Sequence, residues 1–125
     1  MPLSYEIDQE HRLVITTAWD IVSAHEALEL QHEIRSDTRL TPDFLDLVDL
    51  TRLTSVDVDI NVMNELAARR SFAQSRRAFV VGSNKLAFGM ARMFIALRRV
   101  TGDEQMQIFT DRKEALQWLG VALFD

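Results

Sequence analysis

The stretch FLDLVDL, residues 44–50, decides the fold that we expect for this chain. Its apolar residues are nearly continuous, and only Asp46 and Asp49 interrupt them. A strand with apolar residues on both faces is buried on both faces, which is typical of a parallel sheet covered by helices on each side. We therefore predict that residues 44–50 form an interior strand of an α/β domain.

The segments on either side of this strand alternate between strand and helix patterns. The other predicted strands span residues 4–8, 12–18, 77–82 and 105–109. The predicted helices span residues 24–36, 57–71, 85–100 and 112–120. A hairpin followed by alternating helices and strands predicts an α/β sandwich, with a mixed and mainly parallel β-sheet of about five strands and about four helices. We expect a single domain over residues 1–125.

Polar side chains mark the starts of three of these helices. Ser23, with Glu26 three residues later, forms a capping-box signature before the first helix. Asp111 and Glu114 repeat the pattern before the last helix. Either Ser83 or Asn84 is placed to cap the third helix.

Composition limits the classes of function. With 19 acidic and 14 basic residues the chain has a formal net charge of −5, which argues against nonspecific attraction to nucleic acid or to an anionic bilayer. It has no cysteine, which excludes disulfides, a thiolate nucleophile and a cysteine metal site. The N-terminal segment lacks the apolar run of a signal peptide, and no stretch reaches the roughly 20 apolar residues of a membrane span. We expect a cytoplasmic protein.

The predicted third helix has more apolar surface than covering one sheet face requires. It contains the stretch FGMARMFIALRR, residues 88–99. At about 100° per residue, Lys85, Arg92 and Arg99 share one narrow stripe, while apolar side chains occupy most of the remaining circumference. These apolar residues are Phe88, Met90, Met93, Phe94, Ile95 and Leu97.

Four interpretations of this surplus apolar surface remain open at this point. Neighbouring helices cover it, it lines a pocket for an apolar ligand, it packs on a second subunit, or it lies against a membrane. Gly89 is compatible with the close approach of another backbone. Arg92, Arg98 and Arg99 are available to meet an acidic head group or an anionic surface.

The residue types that carry out catalysis or bind metals form no recognisable motif. His25, Glu29 and His32 share one side of the first helix, but they lie opposite its apolar stripe and lack the HExxH pattern, so a solvated face is favoured. Neither GxGxxG nor GxxxxGK with a following Ser or Thr occurs. Asp46 is interpreted as the partner of an arginine and Asp49 as a hydrogen-bonder in a turn, because no nucleophile accompanies them. We expect no catalytic residue, no metal site, no cofactor and no enzymatic activity.

Two segments resemble a known family. The order of elements, the segment LVDLTRLTSVDVDI at residues 47–60 and the ending IFTDRKEALQWL at residues 108–119 look like the small bacterial SpoIIAA-like proteins of the STAS/SEC14-type fold. The resemblance extends over almost the whole chain, and it implies a SpoIIAA-like fold.

One branch of this resemblance implies a regulatory loop. STAS anti-sigma-factor antagonists have, after the third strand, an Asp followed by a phosphorylatable Ser at the start of a helix. The resemblance places Asp57 on that Asp and Val58 on that Ser. Valine has no hydroxyl group to accept phosphate, so this chain departs from the phosphorylation-controlled pattern.

The other branch implies a ligand. SEC14-like domains hold a lipid or another apolar molecule between the sheet and a mobile helix, which agrees with the wide apolar surface of the third helix. Our leading hypothesis is a non-enzymatic binding domain for a lipid-like or other small hydrophobic ligand, with peripheral membrane contact as a variant. The residues assigned to ligand or partner binding are Phe88, Met90, Met93, Phe94, Leu97, Arg92 and Arg98. The competing hypothesis is a protein-interaction module in which the same helix forms a homodimer or binds a regulatory partner.

Overall fold

The computed structural model describes residues 2–68, 76–98 and 105–121, and these contain nine elements of secondary structure. The strands are β1 (Leu3–Asp8), β2 (Leu13–Ser23), β3 (Leu45–Asp57), β4 (Arg76–Val80) and β5 (Gln105–Phe109). The helices are α1 (Ala24–Ser36), α2 (Ile60–Ala68), α3 (Lys85–Arg98) and α4 (Arg112–Leu119). The elements follow one another in the predicted order.

The strands form one five-stranded sheet in the order β1-β2-β3-β4-β5. β1 pairs with β2 in the antiparallel sense as a hairpin, whereas β2, β3, β4 and β5 pair in parallel. Parallel neighbours need a crossover connection, and α1, α2 and α3 supply the three that are required. The predicted α/β sandwich with a mixed, mainly parallel sheet is confirmed.

β3 is longer than the apolar pattern predicted. It continues beyond Leu50 to Asp57, because this extension pairs in parallel with Trp19–Ser23 at the end of β2. Most side chains of the extension are exposed and polar, and Leu53 is its one fully buried residue. The extension therefore lacks the continuous apolar signal that identified the first part of the strand.

α2 begins later than predicted. The pattern placed its start at Asp57, whereas the helix begins at Ile60. Asp59 caps it by accepting a hydrogen bond from the backbone N–H of Val62 at 2.9 Å. Because Asp57 and Asp59 both satisfy the capping pattern, the sequence alone did not show which of the two caps the helix. The predicted ends of this helix and of the third helix, residues 71 and 100, lie outside the described residues.

The other three helices are capped as the sequence indicates. The capping box of Ser23 and Glu26 is present at α1. At α4 the Asp111 half of the predicted pattern is present, since its side chain accepts from the backbone N–H of Lys113 at 3.0 Å. Asn84, rather than Ser83, caps α3, and its Oδ1 accepts from a backbone N–H of the first turn at 3.1 Å. The Nδ2 group of the same side chain donates to a carbonyl of β3 at 2.6 Å, which connects the start of α3 to the sheet.

The sheet separates two apolar layers. α4 packs on one face, and α1, α2 and α3 cover the other. The alternation of side chains along β3 directs Leu45 and Leu47 toward α4, whereas Asp46, Val48 and Leu50 face the three helices. A carboxylate is thereby placed in the covered layer between the sheet and three helices.

Candidate functional site

A cavity of about 220 Å³ lies between the sheet and helices α1, α2 and α3. Most of its lining is apolar and includes Leu30, Leu50, Met63, Leu66, Met90 and Phe94. Its polar lining residues are Thr16, Gln31, Asp46 and Arg77. An apolar cavity of about 150 Å³ is large enough to bind benzene, so this space admits a small organic molecule.

Small side chains keep this space open. Ala18 of β2, Ala27 of α1 and Ala91 of α3 all line the cavity from different elements. Protein interiors are otherwise closely packed, and larger residues at such positions fill the space between layers. The cavity therefore follows from the choice of alanine at three positions that face the same space.

Asp46 and Arg77 form a buried ion pair at the cavity. They are direct neighbours in the parallel register of β3 and β4, and Arg77 Nε lies 3.0 Å from Asp46 Oδ2. Asp46 is only 4% exposed. Burial raises the pKa of Asp46, and the positive charge of Arg77 opposes this rise. The predicted pairing of Asp46 with an arginine is confirmed.

Two oxygen atoms of the polar lining have unused capacity to accept hydrogen bonds. Asp46 Oδ1 and Gln31 Oε1 are buried and have no hydrogen-bond partner among the residues described. The amide of Gln31 has a fixed orientation, because its Nε2 donates to the carbonyl oxygen of Leu66 at 3.0 Å. Buried acceptors are usually satisfied in folded proteins, so a pair of them in one cavity points to a donor from a bound molecule.

Two of the residues predicted on α3 line the cavity. They are Met90 and Phe94. The Phe94 ring packs edge to face against Phe79 of β4, with 5.8 Å between the ring centroids, and the Arg77 guanidinium carbon lies 5.7 Å from the Phe94 centroid. Part of the wide apolar surface of α3 is thus used in the cavity wall.

Another part of α3 faces solvent and forms what we call the outer face of α3, made up of Leu86, Phe88, Gly89 and Arg92. Phe88 is 44% exposed and Leu86 is 42% exposed. The Arg92 guanidinium carbon lies 5.7 Å from the centre of the Phe88 ring. Within the described part of the chain, nothing lies within 4 Å of a Cβ added at Gly89. Met93 and Leu97 are half-buried and do not line the cavity.

Arg98 is not available to an acidic head group, contrary to the sequence-based expectation. Arg98 is 3% exposed, and its Nη1 donates a hydrogen bond at 2.9 Å to the carbonyl oxygen of Ala67 in the last turn of α2. Carbonyl groups in the last turn of a helix lack partners within the helix, and a nearby cationic side chain satisfies them. Arg98 therefore connects α3 to α2. Arg99 lies outside the described residues.

The loop identified by the STAS resemblance borders the cavity. Asp57 is the exposed last residue of β3, and Val58 is half-buried and contributes to the cavity lining. Reasoning from the sequence missed this role of Val58, and it also missed Gln31 as part of any site. Helical spacing alone gave no signal for Gln31, because its carbonyl partner lies on α2, far away along the chain.

The remaining polar clusters lie away from the cavity. His25 Nε2 lies 3.3 Å from Glu29 Oε2 on the exposed side of α1. In the described ranges, Asp8, Glu10 and His11 form the group whose ligand atoms are close enough to hold a metal ion, all within 4.8 Å of one another. Two of these side chains, Asp8 and His11, contact each other directly at the β1–β2 turn, with His11 Nδ1 2.7 Å from Asp8 Oδ2.

Asp49 accepts hydrogen bonds, as predicted, but it lies inside β3 and not in a turn, because the strand continues to Asp57. Its Oδ1 accepts from the backbone N–H of Thr51 at 2.9 Å and from the Thr51 hydroxyl at 2.7 Å. Its Oδ2 accepts from Arg112 Nη1 of α4 at 3.3 Å. The two carboxylates of FLDLVDL therefore have different surroundings, because Asp46 lines the cavity and Asp49 contacts Arg112 of α4.

Comparison with known proteins supports this architecture. No protein-family model matches the chain, and no curated protein matches it. Among solved structures, the chain is similar to an uncharacterized protein of the DUF3478 family with a SpoIIAA-like fold from Shewanella loihica PV-4. The TM-score is 0.58 at 16% sequence identity, covering 94% of this chain and 91% of the other. The chain has a SpoIIAA-like fold, as the sequence resemblance implied.

Proposed function

We propose that this protein is a non-enzymatic binding domain that holds a small hydrophobic molecule in the cavity between its sheet and helices α1, α2 and α3. The observation that supports this proposal is the cavity itself, about 220 Å³ of mainly apolar space with a small group of polar side chains. Apolar walls provide affinity by removing ligand surface from water, and a few polar groups fix the orientation of the ligand.

The size of the cavity limits the ligand. One water molecule occupies about 30 Å³ of liquid, so the space accommodates roughly seven non-hydrogen atoms. Pockets for drug-sized ligands are larger, at about 300–1,000 Å³. The proposed ligand is therefore a short-chain or single-ring molecule, or one end of a longer lipid-like chain.

The arrangement of charges supports binding rather than catalysis. The ionisable groups in the cavity lining, Asp46 and Arg77, contact each other at 3.0 Å. General acid–base catalysis usually combines the carboxylate with a histidine, a nucleophile or a second carboxylate, and among the described lining residues no histidine and no second carboxylate accompanies Asp46. Among the described lining residues, Asp46 and Arg77 neutralise each other's charge, and this accounts for the presence of both. We therefore propose no reaction.

Native mass spectrometry, followed by solvent extraction and identification of bound molecules, tests the proposal. We expect an apolar molecule to copurify with the wild-type protein and to be lost in Ala27→Leu, which adds three carbon atoms to the cavity wall. Ala68→Leu is the matched control, because Ala68 is exposed at the end of α2 and does not line the cavity. A wild-type protein that carries no such molecule and binds none of the small apolar compounds offered to it would contradict the proposal.

A protein-interaction module is the second candidate. The observation that favours it is the outer face of α3, where Leu86 and Phe88 are both more than 40% exposed. This surface could form a homodimer or bind a regulatory partner. A dimer in native mass spectrometry that Phe88→Glu converts to a monomer would support this candidate, whereas binding to anionic vesicles lost in the same variant would support peripheral membrane contact. Phe88 does not line the cavity, so this variant leaves ligand binding intact.

A further inference from the structure

We infer that the ligand of this cavity carries a hydroxyl group that donates a hydrogen bond to Asp46 Oδ1, in the same cavity that Gln31 lines. This inference rests on the proposed function, since it specifies the chemistry of a molecule bound in the same cavity. The arginines of the third helix suggested a ligand with an acidic head group. The ligand inferred here carries a neutral hydrogen-bond donor instead.

The first argument comes from the two oxygens of Asp46. Arg77 Nε contacts Oδ2 at 3.0 Å, while Oδ1 is buried and has no hydrogen-bond partner in the described part of the protein. The Arg77 guanidinium beside Oδ2 favours the ionised form of Asp46, and an ionised carboxylate accepts hydrogen bonds and donates none. A molecule that reaches Oδ1 therefore satisfies it only by offering an O–H or N–H group.

The second argument comes from Gln31, on a different element of the structure. Its Nε2 is engaged by the carbonyl oxygen of Leu66, which leaves the acceptor Oε1 buried and without a partner in the described ranges. Three buried polar atoms of the described lining make no hydrogen bond, and the one donor among them, Arg77 Nε, is in ion-pair contact with Asp46 Oδ2. The other two, Asp46 Oδ1 and Gln31 Oε1, are acceptors. A ligand that presents a carbonyl or carboxylate oxygen here would bring acceptor against acceptor, and such a mismatch strongly disfavours binding.

The third argument concerns charge. Asp46 and Arg77 form a pair without net charge, so the cavity supplies no extra negative charge for a cationic ligand. Moving an ammonium group from water into a mainly apolar space is costly unless a counter-ion compensates it. A hydroxyl group supplies the required donor without that cost. The chemical class that fits best is a neutral alcohol with a short apolar chain or ring.

The test compares compounds that share one carbon skeleton. 2-Hexanol and 2-hexanone each contain seven non-hydrogen atoms, close to the roughly seven that the cavity accommodates, and they differ mainly in the O–H donor. 2-Chlorohexane has the same skeleton with neither a donor nor a carbonyl group. Binding of each compound to the full chain, after copurified molecules have been removed on a hydrophobic resin, is measured by NMR titration. We expect 2-hexanol to bind about tenfold more tightly than 2-hexanone.

The outcomes separate failure of the inference from failure of the proposed function. Tighter binding of 2-hexanol than of the other two compounds supports both. If 2-hexanone or 2-chlorohexane binds as tightly as 2-hexanol, the cavity binds small apolar molecules and the hydroxyl inference is overturned. If none of the three compounds binds, the proposed function itself fails, and the inference fails with it.

Two substitutions test whether the preference for 2-hexanol over 2-hexanone arises from the cavity residues. In Asp46→Asn the amide oxygen is expected to remain on Arg77 Nε, so that an NH₂ donor replaces Oδ1 and the preference shifts toward 2-hexanone. Gln31→Met removes the second acceptor while retaining an unbranched side chain, and it should reduce the preference for the alcohol several-fold. An unchanged preference in both folded variants overturns the inference. The wild-type comparison decides the question even where a variant does not fold.

Discussion

Arg98 Nη1 donates a hydrogen bond to the carbonyl oxygen of Ala67 at 2.9 Å, and this contact joins the end of α3 to the end of α2. Both residues are buried. The two helices form part of the wall of one cavity, so their relative position affects both the stability of the fold and the shape of the candidate site.

Arg98→Met tests the importance of this contact. The substitution retains an apolar side chain but leaves the Ala67 carbonyl without that donor, and an unsatisfied buried polar group costs about 1–3 kcal/mol. We expect the free energy of unfolding in urea to fall by about that amount. Lys85→Met is the control, because Lys85 is exposed at the start of the same helix and surface substitutions usually change stability by no more than about 0.5 kcal/mol. Equal effects of the two substitutions would show that the contact is unimportant for stability.

Two glycines should respond to alanine in opposite directions. Gly89 lies exposed within α3, and alanine there should stabilise the protein by up to about 1 kcal/mol because it has the higher helix propensity. Gly120 ends α4 with a φ of +81°, and alanine there should destabilise the protein by about 1 kcal/mol because L-residues disfavour this conformation. Urea midpoints measure both effects.

The Gly89→Ala variant also bears on the second candidate function. A partner that approaches the outer face of α3 closely at Gly89 would be displaced by the added methyl group. Loss of a dimer together with a gain in monomer stability would support an interface at this helix. If Gly89→Ala destabilises the isolated chain instead, the exposed position assigned to this residue is incorrect.

His11 and Asp8 give a pH dependence with a defined sign. The hydrogen bond to Asp8 raises the pKa of His11, and the same bond lowers the pKa of Asp8. Stabilisation from the raised pKa of His11 is fully present below about pH 6.5, the unfolded value, and is lost as the pH rises through the folded pKa. Stabilisation from the lowered pKa of Asp8 is present above about pH 3.9 and is lost as the pH falls through its folded pKa.

Asp8→Asn should therefore reduce stability most between about pH 4 and pH 6.5, and the reduction should become smaller as the pH rises through the folded pKa of His11. The same substitution should lower the pKa of His11, which an NMR titration of its imidazole protons measures directly. A His11 titration that is identical in the two proteins would rule out the contact as the cause of the shift.

The architecture was predictable from the sequence because it depends on local patterns. The nearly continuous apolar residues of 44–50 identified an interior parallel strand, and Ser23 and Asp111 identified helix starts from their own side-chain chemistry. The extension of β3 to Asp57 was missed, because its pairing with the end of β2 stabilises a segment whose own pattern is polar. A choice between Asp57 and Asp59 as helix cap likewise depends on where that pairing stops.

The candidate site was only partly predictable, because it joins residues from separate elements. Met90 and Phe94 were identified from the excess of apolar residues on one helix, which is a local signal. Asp46 and Arg77 are adjacent only because β3 and β4 pair in this order and register, which the sequence pattern does not give. The burial of Arg98 depends on where α2 ends, and a helical wheel of α3 contains no information on that point.

The ion pair at the cavity yields the most discriminating prediction. Asp46→Leu alone removes the Asp46 carboxylate from the largely buried side chain of Arg77, and breaking a buried pair in this way costs about 3–5 kcal/mol. In the double variant Asp46→Leu with Arg77→Leu, both charges are replaced by apolar side chains. Since such replacements are often neutral or stabilising, we expect stability close to that of the wild type. Urea unfolding of the two single variants and the double variant measures the coupling between the residues.

The stability of the double variant then determines why the pair is present. If the double variant is as stable as the wild type but no longer prefers 2-hexanol to 2-hexanone, the fold does not require the charges and ligand recognition does, because removal of the pair also removes the acceptor Asp46 Oδ1. If the double variant is as unstable as Asp46→Leu, the charged pair is a structural requirement of the β3–β4 register. A stable double variant that retains the full preference for the alcohol would contradict the role assigned to Asp46.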